Sequence, residues 1–531
     1  WMVNDYGRSL RAWIKERGAL DRWIDFKSHQ VFDEAITYTA LQFFCGKSST
    51  EIKCAFAPDG NIAEVEWEEE DAIAYSELSD TDSWHLASSE ERELMEKISK
   101  AGKPLEEVCK AIVVGIQTSA DSIFHLSKVH GNVFQTKSGN EVCIESELMK
   151  PIVSGVDVKK FQTPDTSTHL LFPYRKFGGK VALVSQAEME SDFPLAWHYL
   201  KNHEADLRGR EKGKMDDNSK WWGYVYLKNM DKQEDAKLLV PRLVQKLFCA
   251  MDQSGDFYLD NVDVGGILPN HPDDLPYLAA ILNSEPANFF WRLTSKPFQN
   301  DYRSANKQFI APIPIPDATP EQRKEVGDRA QELQELHTRR RDLVDKLDAR
   351  LNSDQTEDLK PKPKPDWIWA KVGTKTSFLN HPDLPEGLNK TQTKAWSKAR
   401  HEAALTEQLD ILDILLEPGA TLRIDNSEDE ITLHINDRNA LTLYDKPDTP
   451  FIAAQWHHTL RDKNVTEAYN GKKLLNDLLK LKTTPDHTLK TRILDLDREI
   501  RDLDQVIATK EQEMNEIVAE LYGVDTSLHH I

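Results

Sequence analysis

The stretch from Pro276 to Pro316, PYLAAILNSEPANFFWRLTSKPFQNDYRSANKQFIAPIPIP, constrains the fold of this chain more than any other. Its first part is apolar at helical spacing, with Leu278, Ile281 and Leu282 followed by Phe289, Phe290 and Trp291. Its last part, Ile310-Ala311-Pro312-Ile313-Pro314-Ile315-Pro316, predicts an extended strand locked by alternating prolines. Between the two lies a polar, basic loop holding Tyr302, Arg303, Asn306 and Lys307. Polar residues thus interrupt two apolar segments where packing does not demand them.

With 531 residues, the chain is long enough for roughly two to four domains, each with its own core. A hydrophobic content of 39% with 13 Trp is ordinary for a folded globular protein. No apolar run approaches the roughly eighteen residues of a membrane span, so no membrane partner is expected. Cys45, Cys54, Cys109, Cys143 and Cys249 lie far apart with no CxxC pair. Reduced thiols and a cytoplasmic location are expected, rather than a zinc site or a disulfide framework. The first residues, Trp-Met-Val-Asn-Asp, form no signal sequence, and the expectation is a piece that starts in mid-domain.

A net charge of −22 argues against a nucleic-acid binder at first sight. The charge is uneven: residues 105–315 hold 24 Lys and Arg against 27 Asp and Glu. The excess acid sits in Glu64–Asp71 (EVEWEEED), around Ser88–Glu96, and in the C-terminal third. Acidic flanks of this kind are usually solvated surface.

Gly7–Gly18 has helical spacing at Leu10, Trp13 and Ile14, and Leu20–Phe26 and Thr37–Phe44 read as buried strands. After an acidic connector with a helix near Ser89–Ala101, residues 105–316 mix short strands and helices around turn signals such as Lys176-Phe177-Gly178-Gly179. Thr319, Pro320 and Gln322 then form a capping box ahead of a long apolar stripe, Val326, Ala330, Leu333, Leu336, Leu343, Leu347 and Leu351. A second stripe runs through Ile493, Leu496, Ile500, Leu503, Ile507, Met514, Ile517 and Leu521, broken only by Lys510. The two helices are expected to pair as an antiparallel hairpin. Between them come a stiff Lys/Pro spacer at 360–365 and a small β-meander at Thr421–Ile424, Ile431–Ile435 and Leu441–Tyr444.

Several of these runs, in this order, resemble type IIG and related restriction–modification proteins, in which a DNA adenine-N6 methyltransferase carries its own target-recognition domain downstream. The Pro276–Pro316 block is similar to the closing element of that domain. Tyr6-Gly7 with Leu10-Arg11, Ile24-Asp25-Phe26, and Val31-Phe32 to Ala35 resemble the part of the methyltransferase that follows its catalytic motif. Gly115 to Asp121, Lys150 to Val158, Leu170 to Lys176, Phe193-Pro194 to Arg210, and Phe257 to Asn261 resemble successive parts of the recognition domain, and Glu520 to Val524 its characteristic finish. The resemblance covers about residues 1–60, 105–355 and the last forty.

It implies an α/β and α+β multidomain chain. Residues 1–60 would be a partial doubly wound methyltransferase tail, 61–104 a connector, and 105–316 the mixed α+β recognition domain. Residues 317–355 and 486–531 would be the hairpin helices, with 356–485 a β-containing accessory insert. The implied cofactor of the complete protein is S-adenosylmethionine and the implied partner double-stranded DNA, together with an N-terminal catalytic part or a separate catalytic subunit.

The chemistry of methyl transfer is missing. There is no Gly-rich cofactor loop, and no Pro-Pro pair to build the Asn/Asp-Pro-Pro-aromatic tetrapeptide that holds a flipped adenine. This chain alone is therefore expected to bind no S-adenosylmethionine and to have no catalytic or metal-binding residue. His401-Glu402-Ala403-Ala404-Leu405 misses HExxH at its last position, and Glu51-Ile52-Lys53 with Asp33 matches a nuclease spacing that chance readily supplies. DNA contact is the function left. Its candidates are Thr118, Ser119, Lys159, Lys160, Arg175, Lys176, Arg242, Tyr302, Arg303, Asn306 and Lys307. Two other classes stay open: a standalone specificity subunit docking through the hairpin, and an acidic protein-interaction or DNA-mimicking module.

Overall fold

The computed structural model describes the chain apart from residues 3–4, 28, 30, 33–38, 81–83, 262, 299–300, 360–378, 380–381, 428–429, 445–448, 467 and 526–531. The Lys/Pro spacer, Asp33 and Ala35 thus lie outside the described residues. The chain divides into two compact units, 1–338 with 507–531, and 339–506. No described helix is long and apolar enough to cross a membrane.

The first unit begins with helix Arg8–Arg17, stopped by Gly18 in the left-handed conformation. Strand Leu20–Asp25 follows and pairs antiparallel with Ala40–Phe44 and parallel with Glu51–Phe56. Ile14, Leu20, Trp23, Ile52 and Trp84 form the core of this part. The strand Glu51–Phe56 has no counterpart in the sequence-based expectation, and it absorbs the Glu51-x-Lys53 spacing into a sheet.

Residues 102–316 build two larger sheets. Cys109–Val114, Val264–Pro269, Lys237–Pro241 and Ala250–Asp252 are neighbours in that order, all antiparallel. A six-stranded sheet centres on Met149–Val153, Thr168–Leu171 and His125–His130. Trp221 and Trp222 are buried in its core beside Trp197, so neither offers a stacking surface. Lys237 sits inside a core strand because its ammonium meets the Asp252 carboxylate at 2.6 Å and the Gln233 carbonyl at 2.6 Å.

The proline-locked segment forms strand Pro314–Pro316, antiparallel to Gly102–Pro104. Prolines offer carbonyls but no N–H, so partners must be donors. The Tyr522 hydroxyl donates to the Pro314 carbonyl at 2.6 Å, the Tyr277 hydroxyl to Pro316 at 2.9 Å, and the Leu105 amide to Ile313 at 2.8 Å. A Cβ on Gly102 would lie 1.8 Å from the Ile315 carbonyl oxygen, so only glycine allows this approach. Ile313 and Ile315 are buried. The strand is a core anchor, and the loop before it is the part that reaches the surface.

Three side-chain amides cover one edge of the segment 247–251. Asn288 accepts from the Leu247 amide at 2.7 Å and donates to its carbonyl at 2.9 Å. Asn283 does the same for Cys249, and Gln334 for Met251. In an extended chain, residues two apart expose N–H and C=O on the same edge. The C-cap of helix Leu275–Leu282 and the helices Glu285–Thr294 and Pro320–Leu351 thus supply through carboxamides what a neighbouring strand would supply.

Helix Pro320–Leu351 starts at the expected capping box: the Gln322 amide donates to Thr319 Oγ1 at 3.2 Å, and the Thr319 amide to Gln322 Oε1 at 2.9 Å. Within the first unit it runs antiparallel to the last helix, His487–Tyr522, with Arg329–Glu513 at 3.0 Å and Glu332–Lys510 at 2.8 Å. Lys510 breaks the apolar stripe in sequence, and here it sits at the rim as an ion-pair partner.

The second unit holds helix Lys390–Leu415 and a meander of Leu422–Asn426, Glu430–Ile435 and Arg438–Tyr444. Helices Thr449–Leu460 and Gly471–Leu478 close its core around Trp456, Ile431, Leu433 and Leu412. His401 lies buried on helix Lys390–Leu415, and His457 Nδ1 is 3.0 Å from Asp497.

Candidate nucleic-acid interface

Several strands of the first unit end at one place. Gly265 pairs with Val114, Ile116 bridges Asp260, the Asp260 amide donates to the Val153 carbonyl, and Pro241 pairs with Val264. The loops that leave these strands therefore start side by side: 115–120, 154–160 and the one that begins at Asp260, with Arg242 and the 304–307 turn among them. Loops gathered on a rigid scaffold are where binding residues concentrate.

Arg242 organises this end. Its Nε–H donates to Asn306 Oδ1 at 2.6 Å and its Nη1 to the Asn261 carbonyl at 2.8 Å. Its own carbonyl accepts from the Ala305 amide at 2.9 Å, and its amide donates to Asp263 at 2.7 Å. Arg242, Asn306 and Lys307, with Gln308, line one hollow of about 520 Å³ floored by Ile112, Val113 and Ile310. Lys307 is exposed, and among the described residues no ion pair holds it. Lys159 is likewise exposed on the neighbouring 154–160 loop.

Other candidates are committed internally. Thr118 is buried; its hydroxyl donates to Asp121 and accepts from the Ala120 amide at 3.0 Å, so it shapes the loop. Ser119 sits at φ +57° with its hydroxyl 3.4 Å from Glu211. Lys160 turns to the last helix and donates to Glu511 at 2.7 Å. Burial alone would raise the Glu511 carboxyl, but His337 at 2.8 Å and Lys160 hold it down at about 2. Arg303 is turned inward, donating to the Arg292 carbonyl with Nε 3.4 Å from Asp301; Tyr302 beside it is 37% exposed. The Tyr302–Lys307 loop is thus split: Arg303 braces it and Lys307 projects. Arg175 and Lys176 lie apart from the hollow, on a separate two-stranded ribbon, where Arg175 meets Glu188 at 3.0 Å and Lys176 approaches Glu234 at 3.8 Å.

Arg210 was not singled out as functional, yet it ties the opening loop to the tryptophan pair. Its guanidinium donates to four carbonyls: Leu207 at 2.8 Å, Thr118 at 2.9 Å, and Trp221 and Gly223 at 2.8 Å each. It has no carboxylate partner among these contacts, and burial lowers its pKa from the ordinary arginine value. Its sequence signal is the run Phe193-Pro194 to Arg210, which ends on this arginine.

These residues do not fit an S-adenosylmethionine site. Gly178-Gly179 is a hairpin turn, and Gly265-Gly266 lies inside strand Val264–Pro269, where a Cβ on Gly266 would strike Leu259. Among the described residues no cluster of His, Cys, Asp and Glu could hold a metal ion.

No protein-family model matches the chain. The chain is 26% identical over 348 residues to the type II restriction enzyme and methyltransferase RM.Eco57I of Escherichia coli, covering 61% of this chain and 35% of that protein. It is 24% identical over 337 residues to the type II methyltransferase M.BstVI of Geobacillus stearothermophilus, covering 59% and 56%. The type II methyltransferase M.PaeR7I of Pseudomonas aeruginosa matches at 21% over 338 residues, covering 60% and 54%. The matched part thus spans about a third of the first relative and just over half of the other two. Over some 60% of its length this chain is similar to type II methyltransferases of restriction–modification systems.

Proposed function

We propose that this chain is the sequence-reading portion of a site-specific DNA adenine-N6 methyltransferase from a restriction–modification or phage-defence system. The similarity to three type II methyltransferases over about 60% of the chain carries the reading. The convergence of loops around Arg242, Asn306 and Lys307 supplies a place for the contact. Lys159 and Lys307 neutralise phosphates, while the exposed Gln308 offers its carboxamide to base edges. Arg242, Arg210 and Arg303 hold the loops in register and touch no DNA. Binding of S-adenosylmethionine and methylation of a flipped adenine belong to the catalytic part, which this chain positions on its site.

The test is a gel shift of the full chain on duplex DNA, with Lys159→Ala and Lys307→Ala separately and together. Each loss is expected to weaken binding on all sequences alike and to lower the slope of log affinity against log salt by roughly 0.9 per phosphate contact. Unchanged affinity and slope in the double variant would remove this end of the molecule from DNA contact.

A further inference from the structure

The hairpin at 174–183 is set off from the two larger sheets of its region. Tyr174–Phe177 and Lys180–Leu183 form a two-stranded sheet of their own, closed by Gly178-Gly179 with φ of +53° and +80°. Two successive positive φ values give the tight primed turn that glycine allows. A Cβ added at either glycine would meet nothing within 4 Å, so the tip stands clear of the body.

The base of the ribbon is fixed. Tyr174 is buried with its hydroxyl accepting from the Tyr224 amide, and Val181 and Leu183 pack on the same core. Arg175 lies 5.2 Å over the Phe193 ring and bonds Glu188 and Asp192. The tip is different: Phe177 is 69% exposed, opposite Lys180 across the ribbon and next to Lys176. Lys180 also lines a hollow of about 590 Å³ with Lys214 and Lys220. Lys176 approaches Glu234 and Lys220 pairs with Asp217 at 3.4 Å, while Lys180 and Lys214 have no carboxylate partner among the described residues.

A rigidly based ribbon with an apolar tip and cationic flanks fits the major groove of a duplex, which admits a two-stranded β-ribbon. We propose that Phe177 is a specificity-determining residue that makes apolar contact with a thymine methyl group in the major groove, while Lys180 and Lys214 hold the flanking phosphates. This rests on the DNA-reading role proposed above. The thymine methyl is the one apolar feature on the groove's edge code.

The experiment selects bound sequences from a randomised duplex pool with the full chain, wild type and Phe177→Ala, and then replaces thymine by deoxyuridine in the enriched site. Wild type is expected to enrich a motif with at least one A·T position that Phe177→Ala no longer selects. Deoxyuridine there should weaken wild type by about tenfold and leave Phe177→Ala unchanged. Lys180→Ala with Lys214→Ala should weaken all sequences alike and lower the salt slope by roughly 1.8. The deoxyuridine comparison on wild type needs no variant to fold. An identical motif from both proteins, or a wild type indifferent to deoxyuridine, overturns the role of Phe177 while leaving DNA reading intact. A wild type that enriches nothing overturns both.

Discussion

Arg242 and Asn306, sixty-four positions apart, are joined by a hydrogen bond of 2.6 Å from Nε–H to Oδ1. The bond fixes the turn that carries Lys307 to the end of the strand Lys237–Pro241. A charge-assisted bond of this kind contributes about 1.5–3 kcal/mol. Asn306→Ala is expected to release the turn without unfolding the sheet. Amide exchange over 305–309 should accelerate by at least about tenfold, with little change at 237–241. Equal protection in both proteins would show that the turn is held by other means.

Lys237 and Asp252 form an ion pair with both side chains almost fully buried. Removing one partner strands the other, so Lys237→Ala should cost about 3–5 kcal/mol, read as a lower melting temperature of the first unit. Lys237→Met with Asp252→Leu removes the charges but also the bonds Asp252 makes to the Asp256 and Phe257 amides. The double variant is expected to be more stable than Lys237→Ala alone. A double variant that is worse would assign the site's value to those amide bonds.

What the sequence made legible depended on locality. The helix Pro320–Leu351 announced itself because Thr319, Pro320 and Gln322 carry the whole signal within one turn. The proline strand was equally plain. Its surroundings were not, since the donors that satisfy it, Tyr277 and Tyr522, come from 39 and 208 positions away. The site suffered most. Lys160 and Lys307 look alike in sequence, but a glutamate 351 positions on claims the first. Arg303 stands in a polar loop of the sequence, and a fold-back onto Arg292 and Asp301 turns it inward. Thr118 reads as a loop hydroxyl in the sequence, but that hydroxyl closes its own turn on Asp121 and Ala120. The strand Glu51–Phe56 escaped because Glu51 and Lys53 interrupt its apolar run.

The carboxamide edge offers a sharper test of packing. Asn283→Leu keeps volume but leaves the Cys249 amide without an acceptor, while its carbonyl keeps only the Phe161 amide, at a cost of about 1–3 kcal/mol. Asn283→Asp can still accept from the amide and should lose less. Equal destabilisation by the two substitutions would mean that the acceptor half of the contact contributes nothing.

Glu511 gives a pH dependence of defined sign. Its carboxyl is held at about 2 in the folded chain, against an ordinary value of 4.5. A group with a lowered folded pKa contributes stability above its unfolded value and loses it as pH falls towards the folded one. Wild type should therefore lose stability relative to Glu511→Gln between about pH 4.5 and 2, with the two curves parallel at neutral pH. Parallel curves through the acid range would contradict the assignment.

Lys159 and Lys307 are the groups through which this acidic chain is proposed to meet duplex DNA. Fluorescence anisotropy of a labelled duplex, titrated with the full chain between about 50 and 200 mM salt, tests that contact most directly. The account predicts binding at the low end, an affinity that falls linearly on logarithmic axes, and a shallower line for Lys159→Ala with Lys307→Ala. No binding at the lowest salt, or binding indifferent to salt and to both lysines, would contradict it.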